Sequence, residues 1–514
     1  MSDDRPMREI RLERLARLRE LGFDPFGVER FPFELTAKHL TDRFEELAPA
    51  EDADDATKSA AAIITAGRVV RHHVMGQAGF VDLSDGEHKF QCYFTIDSLG
   101  EAGFEAFTLL DVGDHLGVKG YLFTTKRGQK SLHVLELTPL SKSLQLWQLG
   151  KSKDGQSWYG LSDVDTRYRH RHLDLVGNLE VREKLLLRSR ITREIRRYFD
   201  GLDFLEVETP LLQTEAGGAS AKPFLTHYEA YDMDMKLRIS LELPLKRIIC
   251  GDVRRVYELG RVFRNEGVDD DHNPEFTLLE WYEAYANLED MMDQVEGLFR
   301  HVTQTVFGTT QVGDIDFGPR WPRLDMMEAL AAKGVSMEDV ADLPTALKTM
   351  ERHGLPTKRI QTAGKAIEKL FGHLVEPDLV QPTFVVAHPL EISPLAKKDP
   401  NRPGFTRRFE GYVRGSEVCN AFSEINDPID QRERFEAQLA ERNSGDDEAM
   451  GVDEEFLYAL ECGMPPTGGC GIGIDRMVKL LTGANTIREI LMFPTMKPGG
   501  RGAGLEEDEE SDDE

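Results

Sequence analysis

Cysteine is scarce in this chain. Cys92, Cys250, Cys419, Cys462 and Cys470 are scattered over 514 residues with no CxxC pair. Neither a zinc site nor a disulfide framework is indicated, and a reducing cytoplasm is the expected setting. No apolar run approaches ~18 residues, which excludes a membrane-spanning helix. The opening MSDDRPMREI lacks the apolar stretch of a secretion signal. There is no GxxxxGK followed by Ser or Thr, so a P-loop nucleotide site is not indicated. Positive charge is also short. The formal net charge of −28 argues against general nucleic-acid affinity, because phosphate binding needs Lys and Arg.

That deficit is partly local. The tail Leu505–Glu514 (LEEDEESDDE) concentrates acid and is expected to be a disordered, solvated end, assigned to residues 499–514. Basic residues cluster at Arg167–His172 (RYRHRH) and Arg188–Arg197. Net charge bears on non-specific binding, whereas a local patch decides specific binding.

What is present is ordinary core-forming material. Hydrophobic residues make up 40% and charged residues 30%, and the length predicts two or three domains. The most informative stretch is Arg255–Tyr285, RVYELGRVFRNEGVDDDHNPEFTLLEWYEAY. Two strand-like runs flank a charged loop, and Pro274 blocks helix continuation, so a long-looped antiparallel hairpin is predicted. Alternation puts Phe276, Leu278, Glu280 and Tyr282 on one side. An acid and a phenol on an otherwise apolar strand are costly to bury without a partner. With Arg264 and Glu266 at the loop entrance, the arrangement suits a ligand anionic at one end and cationic at the other. A structural Arg–Glu pair is the plain alternative for an isolated hairpin.

Residues 1–62 read as a helical extension, with a basic-sided helix over Met7–Leu21 that is either solvated or in contact with phosphate. From Ile63 short β-rich runs broken by Gly and Asp predict an oligonucleotide-binding barrel over 63–146. Phe80 and Gln91 fall on its adjacent strands, an aromatic platform and an amide able to read a base edge. A hinge is expected over 147–178 and a catalytic domain over 179–498. There a helix at Glu183–Asp200 leads to the short strand FLEVETP. Gly218 permits close backbone approach, and Ser240-Leu241-Glu242 reads as a capped helix start. A helical insertion occupies about 320–378, with no chemistry legible in it. At Phe409–Glu424 (FEGYVRGSEVCNAFSE) a second hairpin turns near Arg414–Ser416, with Asn420, Phe422 and Glu424 on one face. Glu410 and Glu417 suit a divalent ion shared with phosphates, but Glu417 joins the face of Asn420 only if a bulge intervenes. GGCGIGIDRMVKLL, Gly468–Leu481, then runs a glycine-rich strand into a helix carrying Asp475 and Arg476.

FRNEG…HNPEFT at Phe263–Thr277 resembles motif 2 of the class II aminoacyl-tRNA synthetases, specifically the lysyl family. Glu183–Pro210 looks like motif 1 and GIGIDR like motif 3, so the resemblance runs from about Ala66 to Pro498. It implies an α+β fold, an OB barrel plus an antiparallel-sheet catalytic domain. It also implies a homodimer through motif 1 and ATP-dependent joining of L-lysine to the 3′ end of tRNA(Lys), with up to three Mg²⁺ per subunit. On this resemblance Arg264 and Arg476 are catalytic. Glu266, His272, Asn273 and Phe276 hold ATP with them, adenine lying between Phe276 and Arg476, and Glu410 and Glu417 take Mg²⁺. Gly218 and Glu242 receive the α-amino group and Asn420 the carboxylate. Phe422 walls the stem, and Glu280, Tyr282 and Glu424 meet the ε-ammonium. Phe80 and Gln91 match positions that bind the uridine-rich anticodon.

Three departures stand out. His72 and His73 replace the Arg often found in bacterial relatives. Asp269-Asp270-Asp271 fills the motif 2 loop where an Arg usually precedes the His, so the loop is expected to work differently. Cys419 and Ala421 replace glycines, without expected loss of activity. The alternatives are an aspartyl- or asparaginyl-type synthetase, a lysyl ligase acting on protein, and a non-enzymatic RNA-binding paralogue. The first needs a cation where Glu280 and Glu424 stand, the second lacks the barrel, and the third has no use for an ATP site.

Overall fold

The computed structural model describes residues 6–145, 151–153, 156–158, 163–443 and 451–497. The acidic tail at 499–514 and part of the expected hinge lie outside the described residues. Two compact units divide at Arg182/Glu183.

In the first unit, helix α1 (Met7–Glu20) precedes a closed five-stranded barrel. Its strands are β1 (Ile63–Met75), β2 (Ala78–Ser84), β3 (Lys89–Thr95), β4 (His115–Thr124) and β5 (Lys130–Ser141), in the order β1-β2-β3-β5-β4, with helix α2 (Ile96–Thr108) between β3 and β4. Alternation drives closure: Val81, Leu83, Cys92, Phe94, Leu122 and Leu132 point into one apolar core. The basic side of α1 is occupied by the barrel rather than left for phosphate. Arg11 is buried on the Ser143 carbonyl at 3.0 Å, Arg14 pairs with Asp111, and Arg17 donates to Glu105 at 2.6 Å. The RYRHRH cluster is likewise partly internal, because Arg167 and Arg171 both hold the buried Asp174, at 2.8 and 2.5 Å.

The second unit is built on an eight-stranded sheet. Helix α3 (Leu179–Gly201) leads in, followed by β6 (Leu205–Glu206), α4 (Glu242–Cys250), β7 (Arg255–Phe263), β8 (Glu275–Ala284) and α5 (Leu288–Phe307). Next come β9 (Arg323–Asp325), α6 (Met326–Ala332), α7 (Leu343–Arg352), α8 (Ala363–Leu374), β10 (Thr383–Val386), β11 (Arg408–Val413), β12 (Ser416–Ser423), β13 (Thr467–Gly473) and α9 (Ile474–Thr482). The sheet order is β9-β10-β11-β12-β13-β8-β7-β6, antiparallel except for its two outermost pairs. One face packs against α3 and α5: Leu279 and Trp281 of β8, Cys419 and Ala421 of β12, and Cys470 and Ile472 of β13 share a core with Ile191, Ile195, Phe199 and Phe299. The side chains of Cys419 and Ala421 therefore pack in this apolar core. Helices α6, α7 and α8 build a separate core around Leu330, Met350 and Leu370.

Candidate active site

Period-2 alternation that sends Leu279 and Trp281 into the core sends Phe276, Leu278, Glu280 and Tyr282 to the other face of β8, where all four line a cavity of about 500 Å³. The hairpin register is regular from Arg255↔Glu283 to Phe263↔Glu275. β13 lines the cavity with Gly469, Cys470, Gly471 and Gly473, and three glycines out of four leave a floor with few side chains. A Cβ at Gly469 would overlap both Glu424 Oε1 and the Tyr282 ring. Gly218 closes another wall with φ +86°, and a Cβ there would lie 2.7 Å from Ser240 Oγ. This is the close approach that only glycine permits.

Glu417 and Asn420 can share a ligand only through an irregularity, and β11–β12 contains one. Gly411 pairs with Cys419 but Tyr412 pairs with Glu417, leaving Val418 as the extra residue of a bulge. Glu417 thereby joins the face of Glu410 and Asn420. Arg408 organises this face: Nη2 donates to Glu410 Oε1 at 2.6 Å and Nε to Asn420 Oδ1 at 3.0 Å. Tyr412 OH donates to the other Glu410 oxygen at 2.6 Å. Among the described residues no donor of this kind reaches Glu417, and Arg476 Nη1 stands 3.5 Å from it. Burial, with the Glu410 carboxylate nearby, pushes its carboxyl up to about 7. A divalent cation beside Glu417 relieves that cost. No group of three or more His, Cys, Asp or Glu converges as a metal cage among the described residues, so the pair fits an ion such as Mg²⁺ that draws its other ligands from phosphate and water.

At the loop end, Arg264, Glu266, His272, Asn273 and Arg476 line the cavity with Phe276. The guanidinium over the Phe276 ring is that of Arg264, at 5.2 Å. Arg476 instead donates to His272 Nε2 at 2.9 Å and to the Glu417 carbonyl at 3.3 Å. Asn273 Nδ2 donates to the Glu275 carbonyl at 2.7 Å, while its buried Oδ1 accepts nothing among the described residues. Two of the three acids of the loop have side-chain partners. Asp269 accepts from His272 Nδ1 at 2.8 Å, and Asp271 meets Lys479 Nζ at 2.6 Å.

The opposite end is acidic. Glu280 Oε1 accepts from Ser240 Oγ at 3.1 Å and from the Leu241 amide at 3.2 Å; Oε2 accepts from Tyr282 OH at 3.1 Å. None of these donors carries charge, and burial next to the Glu242 carboxylate pushes Glu280 up to about 7. Helix α4 starts here with Ser240 Oγ accepting the Glu242 amide at 3.0 Å.

Glu424 stands differently from the sequence-based expectation. It is 1% exposed, does not line the cavity, and pairs with the ammonium of Lys246, which also meets Glu242 Oε1 at 2.5 Å. Helical spacing explains half of this, since Lys246 lies one turn after Glu242. The other half is that a carboxylate removed from water requires a cation. Glu424 Oε1, beside Gly469, accepts no hydrogen bond among the described residues. Burial raises Glu424 well above the usual carboxyl range, and the two acids hold Lys246 protonated against burial.

Sequence reasoning missed Arg408, Lys246, Ser240 and Glu368 of α8, all but Lys246 of which line the cavity. Arg408 lies two residues from Glu410 on one strand face and Lys246 four residues from Glu242 on one helix face, so spacing was the available signal.

On the barrel, Phe80 and Gln91 share a face of β2 and β3, through the register Phe80↔Tyr93 and Asp82↔Gln91. Phe80 packs on Tyr93 with ring centres 4.9 Å apart, and Tyr93 reaches His133 at 5.5 Å and Phe123 at 5.7 Å. Gln91 Oε1 accepts from Ser131 Oγ at 2.8 Å, leaving its NH₂ as a donor. His72 turns its ring edge onto Phe107 at 5.0 Å and burial lowers its pKa, so it stays neutral at pH 7 and does not replace a phosphate-binding Arg.

Two family models match the chain: tRNA synthetases class II (D, K and N) over residues 163–497, and the OB-fold nucleic acid binding domain over 63–140. The protein named lysine–tRNA ligase from Thermoanaerobacter sp. (strain X514) is 46% identical over 494 residues, 95% of each chain. Those of Moorella thermoacetica and Listeria monocytogenes serovar 1/2a are each 47% identical, over 95% of this chain and 97% of theirs. The chain belongs to the class II lysine–tRNA ligase family. Membership accounts for the two-unit layout, an OB barrel followed by a class II catalytic domain. No helix among the described residues is long and apolar enough to cross a membrane.

Proposed function

We propose that the chain activates L-lysine with ATP and transfers lysyl to the 3′ end of tRNA(Lys), releasing pyrophosphate and AMP. The observation that carries this reading is the sign of the pocket. The matched family model covers enzymes for D, K and N. A side-chain carboxylate or amide calls for a cation or amide opposite it, whereas the buried Glu280 carboxylate, with only neutral donors, calls for an ammonium.

In this reading the ε-ammonium sits against Glu280 and Tyr282, with the unpartnered oxygen of Glu424 beyond them, and Phe422 walls the stem. Gly218 and Glu242 take the α-amino group. Asn420, whose carbonyl is fixed by Arg408 Nε, turns its NH₂ to the carboxylate. The lysine carboxylate attacks the α-phosphorus of ATP, and pyrophosphate leaves. Arg264 stabilises the charge developing on the α-phosphate. Glu266, His272 and Asn273 hold the nucleotide, with adenine on Phe276 and Arg476 flanking the phosphates and the ring. Glu410 and Glu417 would hold Mg²⁺, which supplies charge neutralisation between phosphates when bound. The uncharged Phe80–Tyr93 surface stacks anticodon bases, and the Gln91 amide reads a base edge.

A homodimer through motif 1 is part of the proposal. Leu205 of β6 is 52% exposed, and Leu225 and Tyr231, which follow motif 1 in the chain, are each 75% exposed, surface that a second copy would cover. Five free cysteines suit a reducing cytoplasm. Pyrophosphate exchange with lysine, aspartate and asparagine tests the substrate: exchange with lysine alone is expected, and exchange with aspartate or asparagine overturns the reading.

A further inference from the structure

Lys246 is fully buried, yet it touches the amino-acid end of the cavity through others. Its ammonium bridges Glu242 at 2.5 Å and Glu424, and lies over the rings of Phe422 at 5.3 Å and Tyr282 at 5.9 Å. Glu242, Phe422 and Tyr282 all line the cavity, while Lys246 does not. Of three buried carboxylates, Glu242 and Glu424 thus hold one resident cation, and Glu280 stands next to Glu242.

We propose that Lys246 is a positioning residue that sets both the placement and the net charge of the amino-acid pocket. With lysine bound and all three acids ionised, the resident ammonium leaves two negative charges, which match the two ammonium groups of lysine when its carboxylate is held separately by Asn420. Without it a third negative charge is buried and uncompensated, and neither Glu242 nor Glu424 is tethered. A cation sealed behind the wall lets acids from α4 and from the end of β12 act as one acceptor surface, without competing with the ligand for space. The inference rests on the reading of this cavity as the lysine site.

Charge balance predicts a sign reversal that packing does not. Lys246→Met leaves three acids and no cation, and Glu424→Gln leaves two acids and one cation. The double variant restores two acids with no cation, hence two negative charges, as in the parent. The measurement is the KM for lysine and for ATP by pyrophosphate exchange in all four full-length proteins, with thermal melting of each. Expected for Lys246→Met is at least a tenfold rise in lysine KM with ATP KM within threefold. In the Glu424→Gln background the same change is expected to lower lysine KM. Lysine KM within threefold of the parent in Lys246→Met, equal rises for lysine and ATP, or losses that add in the double variant, overturn the proposal. Should Lys246→Met fail to fold, the double variant against Glu424→Gln decides alone. A parent that exchanges pyrophosphate with another amino acid instead of lysine sinks the pocket reading itself, a different outcome from normal lysine use that ignores Lys246.

Discussion

On the proposed reading lysine should bind better as pH rises through neutrality, because the acid assigned to its side chain, Glu280, is pushed up to about 7 by burial beside the Glu242 carboxylate. Only ionised Glu280 makes a charged contact. Apparent affinity is scaled by the ionised fraction, about one tenth at pH 6 and about nine tenths at pH 8. Lysine KM should therefore fall about tenfold between pH 6 and pH 8 and level off above. Glu242 shares the shift, so the profile belongs to the acid cluster as a whole. Calorimetry at pH 7 in two buffers of different ionisation enthalpy should show about half a proton released per lysine bound. Glu280→Gln should flatten the profile and raise lysine KM by about 10²-fold, the loss of a buried charged contact worth about 3 kcal/mol. The stability sign is opposite to that of a salt-bridged acid. The fold keeps this proton up to about pH 7 whereas an unfolded chain gives it up near pH ~4.3. The contribution is thus present below ~4.3 and is lost as pH rises through 7, by up to about 4 kcal/mol. Glu280→Gln should melt higher than the parent at pH 8 and no higher at pH 4. A lysine KM that moves less than twofold between pH 6 and pH 8, or a Glu280→Gln variant that keeps the slope, refutes the reasoning.

Phe80→Ala should leave lysine-dependent pyrophosphate exchange untouched while tRNA charging loses about 1–3 kcal/mol of binding, read as a rise in KM for tRNA, since one stacking surface is removed. Gly469→Ala should abolish lysine activation in a protein that still binds ATP, because the added methyl meets Glu424 and Tyr282; normal exchange by this variant would show that the pocket lies elsewhere. Lys479→Met should raise ATP KM about twofold to fivefold, in keeping with about 0.5–1 kcal/mol for a half-exposed pair that tethers Asp271. An unchanged ATP KM would mean that the loop holds nucleotide without this tether.

The barrel and the two hairpins were legible because strand period and turn chemistry are local. Phe276, Leu278, Glu280 and Tyr282 could be assigned to one face without knowing what lay opposite, and all four line the cavity. The same logic showed that Glu417 and Asn420 need a bulge between them, but not that Val418 is the extra residue. A bulge is a count of two residues against one, and the partner strand supplies half of that count. Cap position differs by one residue: Ser240 Oγ accepts the Glu242 amide and donates to Glu280, while Leu241 is the residue that precedes the helix.

Charge partners were harder to read than faces. Every carboxylate of the amino-acid pocket could be named from its motif, while the ammonium that cancels one of them sits on α4 and reaches Glu424 at the far end of another hairpin. The Asp269–Asp271 run is a second case: Lys479 on α9 and His272 within the loop meet two of its three acids, partners that the run itself does not reveal. Period assigns a direction to each side chain, whereas the net charge offered to a ligand is a sum over elements that only folding brings together. For a pocket whose proposed selectivity rests on sign, that sum is the quantity to measure, and Lys246 is a residue through which it can be changed by one unit without touching the cavity lining.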